Sequence, residues 1–252
     1  CQQYANQEAV VSVHQNVRLS YRQLQAQVNA FACSLLQLGL EKGDRIAIWS
    51  PNCVEWTITQ FAAFKAGIIL VNLNPAYKSS ELEYVLNKVS CKALVIAAQF
   101  KSSNYQEILT KIAPEITQST SKLVSAKRLP HLKHIIKIDE EAYAGIHRFA
   151  DLLPEPTPVQ LDQLQAIAAD LQFDETINIQ FTSGTTGNPK GTMLTHNNIL
   201  NNGYFVGEAI HLTPQDRVCI SVPLFHCFGM VMGNLACITH GSAMIYPSAV
   251  FN

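Results

Sequence analysis

The chain has 252 residues, of which 48% are hydrophobic and 15% charged, and its formal net charge is −1. The even charge balance excludes a strongly basic nucleic-acid binder, and the apolar content excludes a disordered or fibrous chain. The composition predicts a globular protein with a large core, and the length admits one large domain or two small ones. Seven cysteines stand at positions 1, 33, 53, 91, 219, 227 and 237 without a C-x-x-C pair. This predicts a reduced, intracellular protein whose cysteines, Cys33 and Cys53 among them, serve packing. No apolar run is long enough to span a bilayer, and no leader with a charged start and an apolar centre precedes the first structured stretch. A targeting segment is therefore read as absent or already removed, with the cytoplasm, or the mitochondrial matrix after loss of a transit peptide, as the expected compartment.

In chain order, Ser20-Tyr21-Arg22-Gln23 has the form of a capping box. Tyr21, Leu24, Val28, Phe31, Leu35 and Leu38 follow at helical spacing, with Gly39 as a stop, which predicts an amphipathic helix. Arg45 to Trp49, a helix from Cys53 to Ala66 and the apolar run Ile68 to Val71 form a β-α-β pattern. Ser80-x-x-Glu83 predicts the start of another helix, followed by strands at Ala93–Ala97 and His134–Ile138. The prolines at 154, 156 and 158 predict a surface connection. A helix with Leu161, Leu164, Ile167, Ala168 and Leu171 on one side and a strand over Ile177–Phe181 come next. Short apolar strands alternating with helices predict an α/β fold with partly parallel sheets and helices on both faces.

Immediately after the last of these strands the chain reads Thr182-Ser183-Gly184-Thr185-Thr186-Gly187-Asn188-Pro189-Lys190-Gly191. Glycines let backbone N–H groups approach an anion, hydroxyls add donors, and a lysine adds a point charge, so the string suits a polyphosphate. A flexible turn of the same composition is the plain alternative. Pro189 precedes Lys190 where a Walker A loop requires glycine, and no G-x-G-x-x-G is formed, so both of those nucleotide-binding classes are excluded.

Residue for residue, the string resembles the signature loop of the adenylate-forming (AMP-dependent synthetase and ligase) superfamily. Leu19-Ser20-Tyr21-x-x-Leu24, Gly43 to Ile48, Phe64-Lys65-Ala66-Gly67 with Asn74-Pro75, and Val222-Pro223-Leu224-Phe225-His226-x-x-Gly229 resemble further segments of that family in the same order. The segments at residues 99–101, 127–130, 161–164 and 177–181 are similar to fatty acyl-CoA synthetases. The resemblance implies that Thr182 through Lys190 close on the β- and γ-phosphates of ATP, with Thr185, Thr186 and Lys190 as side-chain contacts and Thr185 and Lys190 in the chemistry. It implies that His226 lines an acyl pocket near the reacting carboxylate. It implies ATP, Mg²⁺ and coenzyme A as reactants and a medium-chain fatty acid as substrate, and leaves homo-oligomerisation open. No metal-ligating residues and no nucleic-acid partner are expected. A carrier-protein-loading adenylation domain, and a truncated protein that binds nucleotide or a partner without turnover, stand as alternatives.

The family's adenine and ribose motifs, its hinge and its late lysine have no counterpart after Ser242. The expectation is an incomplete N-terminal portion of the large domain, inactive alone. From Val218 to Asn252 there is no Asp, Glu, Lys or Arg. This predicts core of a larger domain with partner strands missing, and therefore exposed apolar surface. His131-x-x-His134 reads as two solvated histidines, Lys122, Lys127, Arg128 and Lys133 as a solvent-facing cluster, and Trp49 and Trp56 as packing residues.

Overall fold

The computed structural model describes residues 3–118, 121–139, 141, 145–182 and 188–250. Its first half runs through β1 (Glu8–Ser12), β2 (Val17–Ser20), α1 (Tyr21–Gln37), β3 (Arg45–Trp49), α2 (Val54–Lys65), β4 (Ile69–Asn72), α3 (Ser79–Lys88) and β5 (Ala93–Ala97). A short hairpin, β6 (Gln99–Phe100) and β7 (Ser103–Asn104), leads to α4 (Tyr105–Ile112), α5 (Glu115–Gln118), β8 (His134–Ile138) and β9 (His147–Arg148). Then come α6 (Pro158–Asp170), β10 (Thr176–Thr182), β11 (Lys190–Thr195), α7 (His196–Ala209), β12 (Arg217–Cys219), α8 (Ala236–His240) and β13 (Ala243–Tyr246).

Local signals set several boundaries. The Gln23 amide donates to Ser20 Oγ at 3.2 Å and the Ser20 amide donates to Gln23 Oε1 at 2.8 Å, which completes the capping box at α1. Gly39 ends that helix with φ of +81°, a left-handed conformation that favours glycine. The start of α3 departs from the Ser80/Glu83 reading. Glu81 accepts from the Lys78 amide at 3.0 Å, while Glu83 turns away to Arg128. In the proline-rich stretch a 3₁₀ turn covers Phe149–Leu152, and Pro158 opens α6 behind a Thr157 cap. Proline suits a first helical position because its missing N–H would have no intrahelical partner there.

Seven strands form the larger sheet in the order β11-β10-β4-β3-β5-β8-β9. All pairs are parallel except β10 with β11. Successive residues of β3 serve opposite faces: Ile46 and Ile48 join one apolar cluster with α1 and α2, and Ala47 and Trp49 join another with α3 and α4. Burial on both faces explains why this strand is continuously apolar. The first cluster also takes in Val10, Met244 and Tyr246 of the smaller sheet, whose order is β12-β13-β1-β2. Trp49 and Trp56 are fully buried, and Cys33, Cys53, Cys91 and Cys237 are buried free thiols.

The uncharged tail behaves differently from its reading as a core without strand partners. Its strand β13 is paired on both sides, with β1 and β12, and Met244 and Tyr246 are buried. The buried Tyr246 hydroxyl donates to Asn234 Oδ1 at 2.7 Å and lies 2.6 Å from Thr57 Oγ1. The expected exposed apolar surface is present in the same tail, at Phe228 and Met232 of a π-helical stretch, Phe228–Leu235, and also outside it, at Leu200, Tyr204 and Phe205 of α7. His134 is also not solvated. It is buried beside His147, with Nδ1 3.4 Å from the partner's Nε2 across the β8–β9 pair. His131 is exposed, as are Lys122, Lys127 and Arg128, the last paired with Glu83. No helix is long and apolar enough to cross a membrane among the described residues.

Candidate functional site

Because β3, β4, β5 and β10 are parallel, their carboxyl ends lie along one edge of the larger sheet. Consecutive strands β4 and β5 flank β3 on opposite sides, which makes the carboxyl end of β3 a topological switch point, the place where open α/β sheets leave a crevice. A cavity of about 270 Å³ lies there, walled by Pro51 and Asn52 after β3, Asn74 and Pro75 after β4, and Phe100 and Lys101 after β5. Pro223 and Phe225 close it from the segment that carries His226.

Two buried asparagines hold that segment in place. Asn52 donates through Nδ2 to the Val222 carbonyl at 2.9 Å and accepts from the Leu224 amide at 2.8 Å. Asn72 donates to the Phe225 carbonyl at 3.1 Å and accepts from Asn178 Nδ2 at 3.0 Å. Asn178 in turn donates to the Leu70 carbonyl at 2.9 Å. Buried polar side chains are tolerated where each is hydrogen-bonded, and here they tie β4, β10 and the loop after β3 to the His226 segment. Trp49 stacks on Tyr105 with ring centroids 3.6 Å apart and donates to the Asn74 carbonyl at 3.1 Å, which fixes the other rim.

His226 is exposed and lies on a turn whose amide donates to the Pro223 carbonyl at 3.2 Å. Its Nδ1 accepts from the Phe228 amide at 3.2 Å, so the neutral ring carries its proton on Nε2. Gly229 permits the turn, because a Cβ there would stand 2.5 Å from the Pro223 carbonyl oxygen. Cys227 is exposed, with Sγ 3.6 Å from His226 Nδ1.

Thr182 ends β10 and pairs in register with Lys190, the first residue of β11, and its hydroxyl donates to the Lys190 carbonyl at 3.4 Å. The antiparallel strands β10 and β11 thus bring Thr182 and Lys190, the two ends of the glycine, serine and threonine string, side by side at the same sheet edge as the cavity. Of the residues expected to hold phosphate, Thr182, Asn188 and Lys190 are exposed and Pro189 is half-buried. Ser183, Gly184, Thr185, Thr186 and Gly187 lie outside the described residues. Among the described residues the Lys190 ammonium makes no side-chain hydrogen bond or ion pair. No group of three or more His, Cys, Asp or Glu side chains converges among the described residues.

The sequence reading missed Asn52, Asn72 and Asn178 as builders of the site. For Asn72 and Asn178 the signal was an asparagine at the end of, or inside, an otherwise apolar strand, a position where an amide requires a partner, whereas Asn52 lies in the loop after β3. It also passed over β11, whose edge position and glycine leave little apolar alternation.

Comparison with known proteins agrees with this geometry. Residues 1–251 match the family described as AMP-binding enzyme. The medium-chain acyl-CoA ligase ACSF2, mitochondrial, of Macaca fascicularis is 44% identical over 100% of this chain and 41% of its own length. The putative acyl-CoA synthetase YngI of Bacillus subtilis is 39% identical over 96% of this chain and 44% of its own length. The chain therefore spans less than half the length of these relatives. Among solved structures, the anthranilate CoA ligase AuaEII in complex with anthranoyl-AMP superposes with a TM-score of 0.80 at 25% identity, covering 98% of this chain and 43% of the other. The N-terminal domain of FACL13 from Mycobacterium tuberculosis gives a TM-score of 0.77 at 23% identity, covering 100% of this chain and 55% of the other, which bears on the fold alone. A family match along almost the whole chain, with Thr182, Lys190 and the His226 turn at one sheet edge, identifies the chain as belonging to the AMP-binding enzyme family of adenylate-forming proteins.

Proposed function

We propose that these residues are the N-terminal part of the adenylation domain of an ATP-dependent fatty acid–CoA ligase acting on medium-chain acids. The observation that carries this reading is the shared placement of Thr182 and Lys190, the ends of the Thr182–Lys190 string, and of the asparagine-held His226 turn. One offers hydroxyl donors and an ammonium without a partner among the described residues, and the other bounds an apolar cavity. In the reaction, the substrate carboxylate attacks the α-phosphate of ATP and pyrophosphate leaves. The thiol of coenzyme A then attacks the acyl carbonyl and AMP leaves.

Both reactants of the first step are anions, so charge must be neutralised before they meet. Lys190 supplies one positive charge, and Thr182 and the backbone amides of the string supply donors for phosphate oxygens. Thr185 and Thr186 add hydroxyls to that set. Mg²⁺ carried in by the nucleotide would neutralise further phosphate charge. His226, with Nδ1 engaged by the Phe228 amide, presents Nε2–H as a donor toward a carboxylate oxygen. The rest of the relatives' length supplies the adenine and ribose contacts and a small C-terminal domain. The medium chain length and a mitochondrial location follow from the relatives' names alone.

The test is octanoate-dependent exchange of labelled pyrophosphate into ATP by the intact protein. Lys190→Met is expected to slow exchange by about two orders of magnitude, the scale of one lost transition-state donor. Exchange at the wild-type rate in that variant refutes the role.

A further inference from the structure

A second cavity, of about 320 Å³, lies between α1, α2 and α8, and none of its lining residues belongs to the Thr182–Lys190 string or the His226 turn. Leu24 and Val28 form its floor, Phe61, Phe64 and Ile238 its half-buried walls. Two amides, Gln25 and Asn29, and one charge, Lys65, are the polar lining. Lys65 closes the last turn of α2, half-buried, and its Nζ donates to Asn29 Oδ1 at 2.6 Å. Among the described residues no carboxylate pairs with it, and the buried thiol of Cys33 is the titratable group that acts on it. Burial holds the amine below the ordinary lysine range.

An ammonium has three donors, and here one neutral oxygen takes one of them, at the end of a groove whose other walls are apolar. The missing complement is a single negative charge attached to an apolar chain. A phosphate headgroup, with its larger charge, would call for more cations than one. We infer that this pocket binds a free fatty acid, with the carboxylate on Lys65 and Asn29 and the alkyl chain along Phe61, Phe64, Val28 and Ile238. This inference does not depend on the ligase reading, because it concerns binding without ATP at residues outside that site.

The experiment uses decanoate bearing a terminal diazirine, photolysed on the intact protein without ATP, with unlabelled decanoate as competitor. Peptides from α1, α2 and residue 238 are expected to carry the label. Lys65→Met, which keeps the methylene stem, should raise the competing decanoate concentration about tenfold, the lower end for a hydrogen bond to a charged group at a half-exposed site. Lys65→Arg should restore competition to within about threefold, and 1-decanol should compete equally in wild type and Lys65→Met. Val28→Trp, which fills the floor, should abolish the label while thermal melting remains cooperative. Labelling confined to residues 222–232, or a competition midpoint unchanged in Lys65→Met, overturns the inference. So does the absence of any label in α1 and α2, the result expected if another protein segment covers the groove. Pyrophosphate exchange is unaffected by these outcomes and reports separately on the ligase reading.

Discussion

Asn52→Ala tests whether the His226 segment is held as the geometry states. The substitution removes one side chain and leaves two backbone groups without partners, the Val222 carbonyl and the Leu224 amide. Asn52 is 3% exposed and Leu224 fully buried, so the amide has no route to water, and an unmet buried donor or acceptor costs about 1–3 kcal/mol. Val222 is half-buried and the cavity beside Asn52 can admit water, which places its carbonyl at the lower end. The sum is about 2–4 kcal/mol, or roughly 4–16 °C in melting temperature for a chain of this size. Urea unfolding should show a lower midpoint with an unchanged slope, since the surface exposed on unfolding stays the same. Hydrogen exchange gives the local readout: the Leu224 amide should lose more protection than amides of β3 or β5. A loss under about 0.5 kcal/mol with Leu224 still protected would refute the clamp.

Three further outcomes follow from other parts of the structure. Gly203→Ala should destabilise by about 1–2 kcal/mol in thermal melting, because its Cβ would stand 2.6 Å from Leu235 Cβ and overpacking outweighs the gain in helix propensity; an unchanged or higher melting temperature contradicts it. His147, pushed down to about 4 by burial, by His134 and by Lys122, is neutral when folded and protonates near 6.5 when unfolded. Stability should therefore be complete above pH 6.5 and fall toward pH 4, by up to about 3 kcal/mol from this group; His147→Gln should flatten the profile, and an identical profile would count against it. Tyr105→Phe, which removes the hydroxyl that donates to the Pro75 carbonyl at 2.8 Å, should cost about 1–2 kcal/mol by denaturant titration, and a neutral effect would show that the rim does not need this bond.

What could be read in advance was local. The cap at Ser20, the alternation of β3, α2 and β4, and the stop at Gly39 each rest on residues within a few positions of one another. The reading slipped where a distant residue decided. Ser80-x-x-Glu83 satisfies a capping pattern, but Arg128 takes Glu83, and the helix uses Glu81 instead. His134 looked solvent-facing until β9 brought His147 against it. The tail looked uncovered because its partners, β1 at the other end of the chain and β12, are invisible to periodicity. The Thr182–Lys190 segment was legible as a string of residues suited to phosphate, whereas the asparagines that bring the His226 turn to the same sheet edge act across strands and leave only faint polar marks.

The parallel pairing of Val10 with Met244 joins the two ends of the chain in one sheet. On a ribosome adding about 5–20 residues per second, β1 emerges roughly 12–47 s before β13 exists to pair with it. During that interval β2 occupies one side of β1 and the other side presents open backbone donors and acceptors. The larger sheet, whose central strands β3, β4 and β5 follow one another closely, can assemble in the meantime. Biosynthesis is thereby ordered: the strands of the larger sheet are complete before β13 is made, and the nascent β1 edge is the stretch that chaperones must shield until β13 arrives.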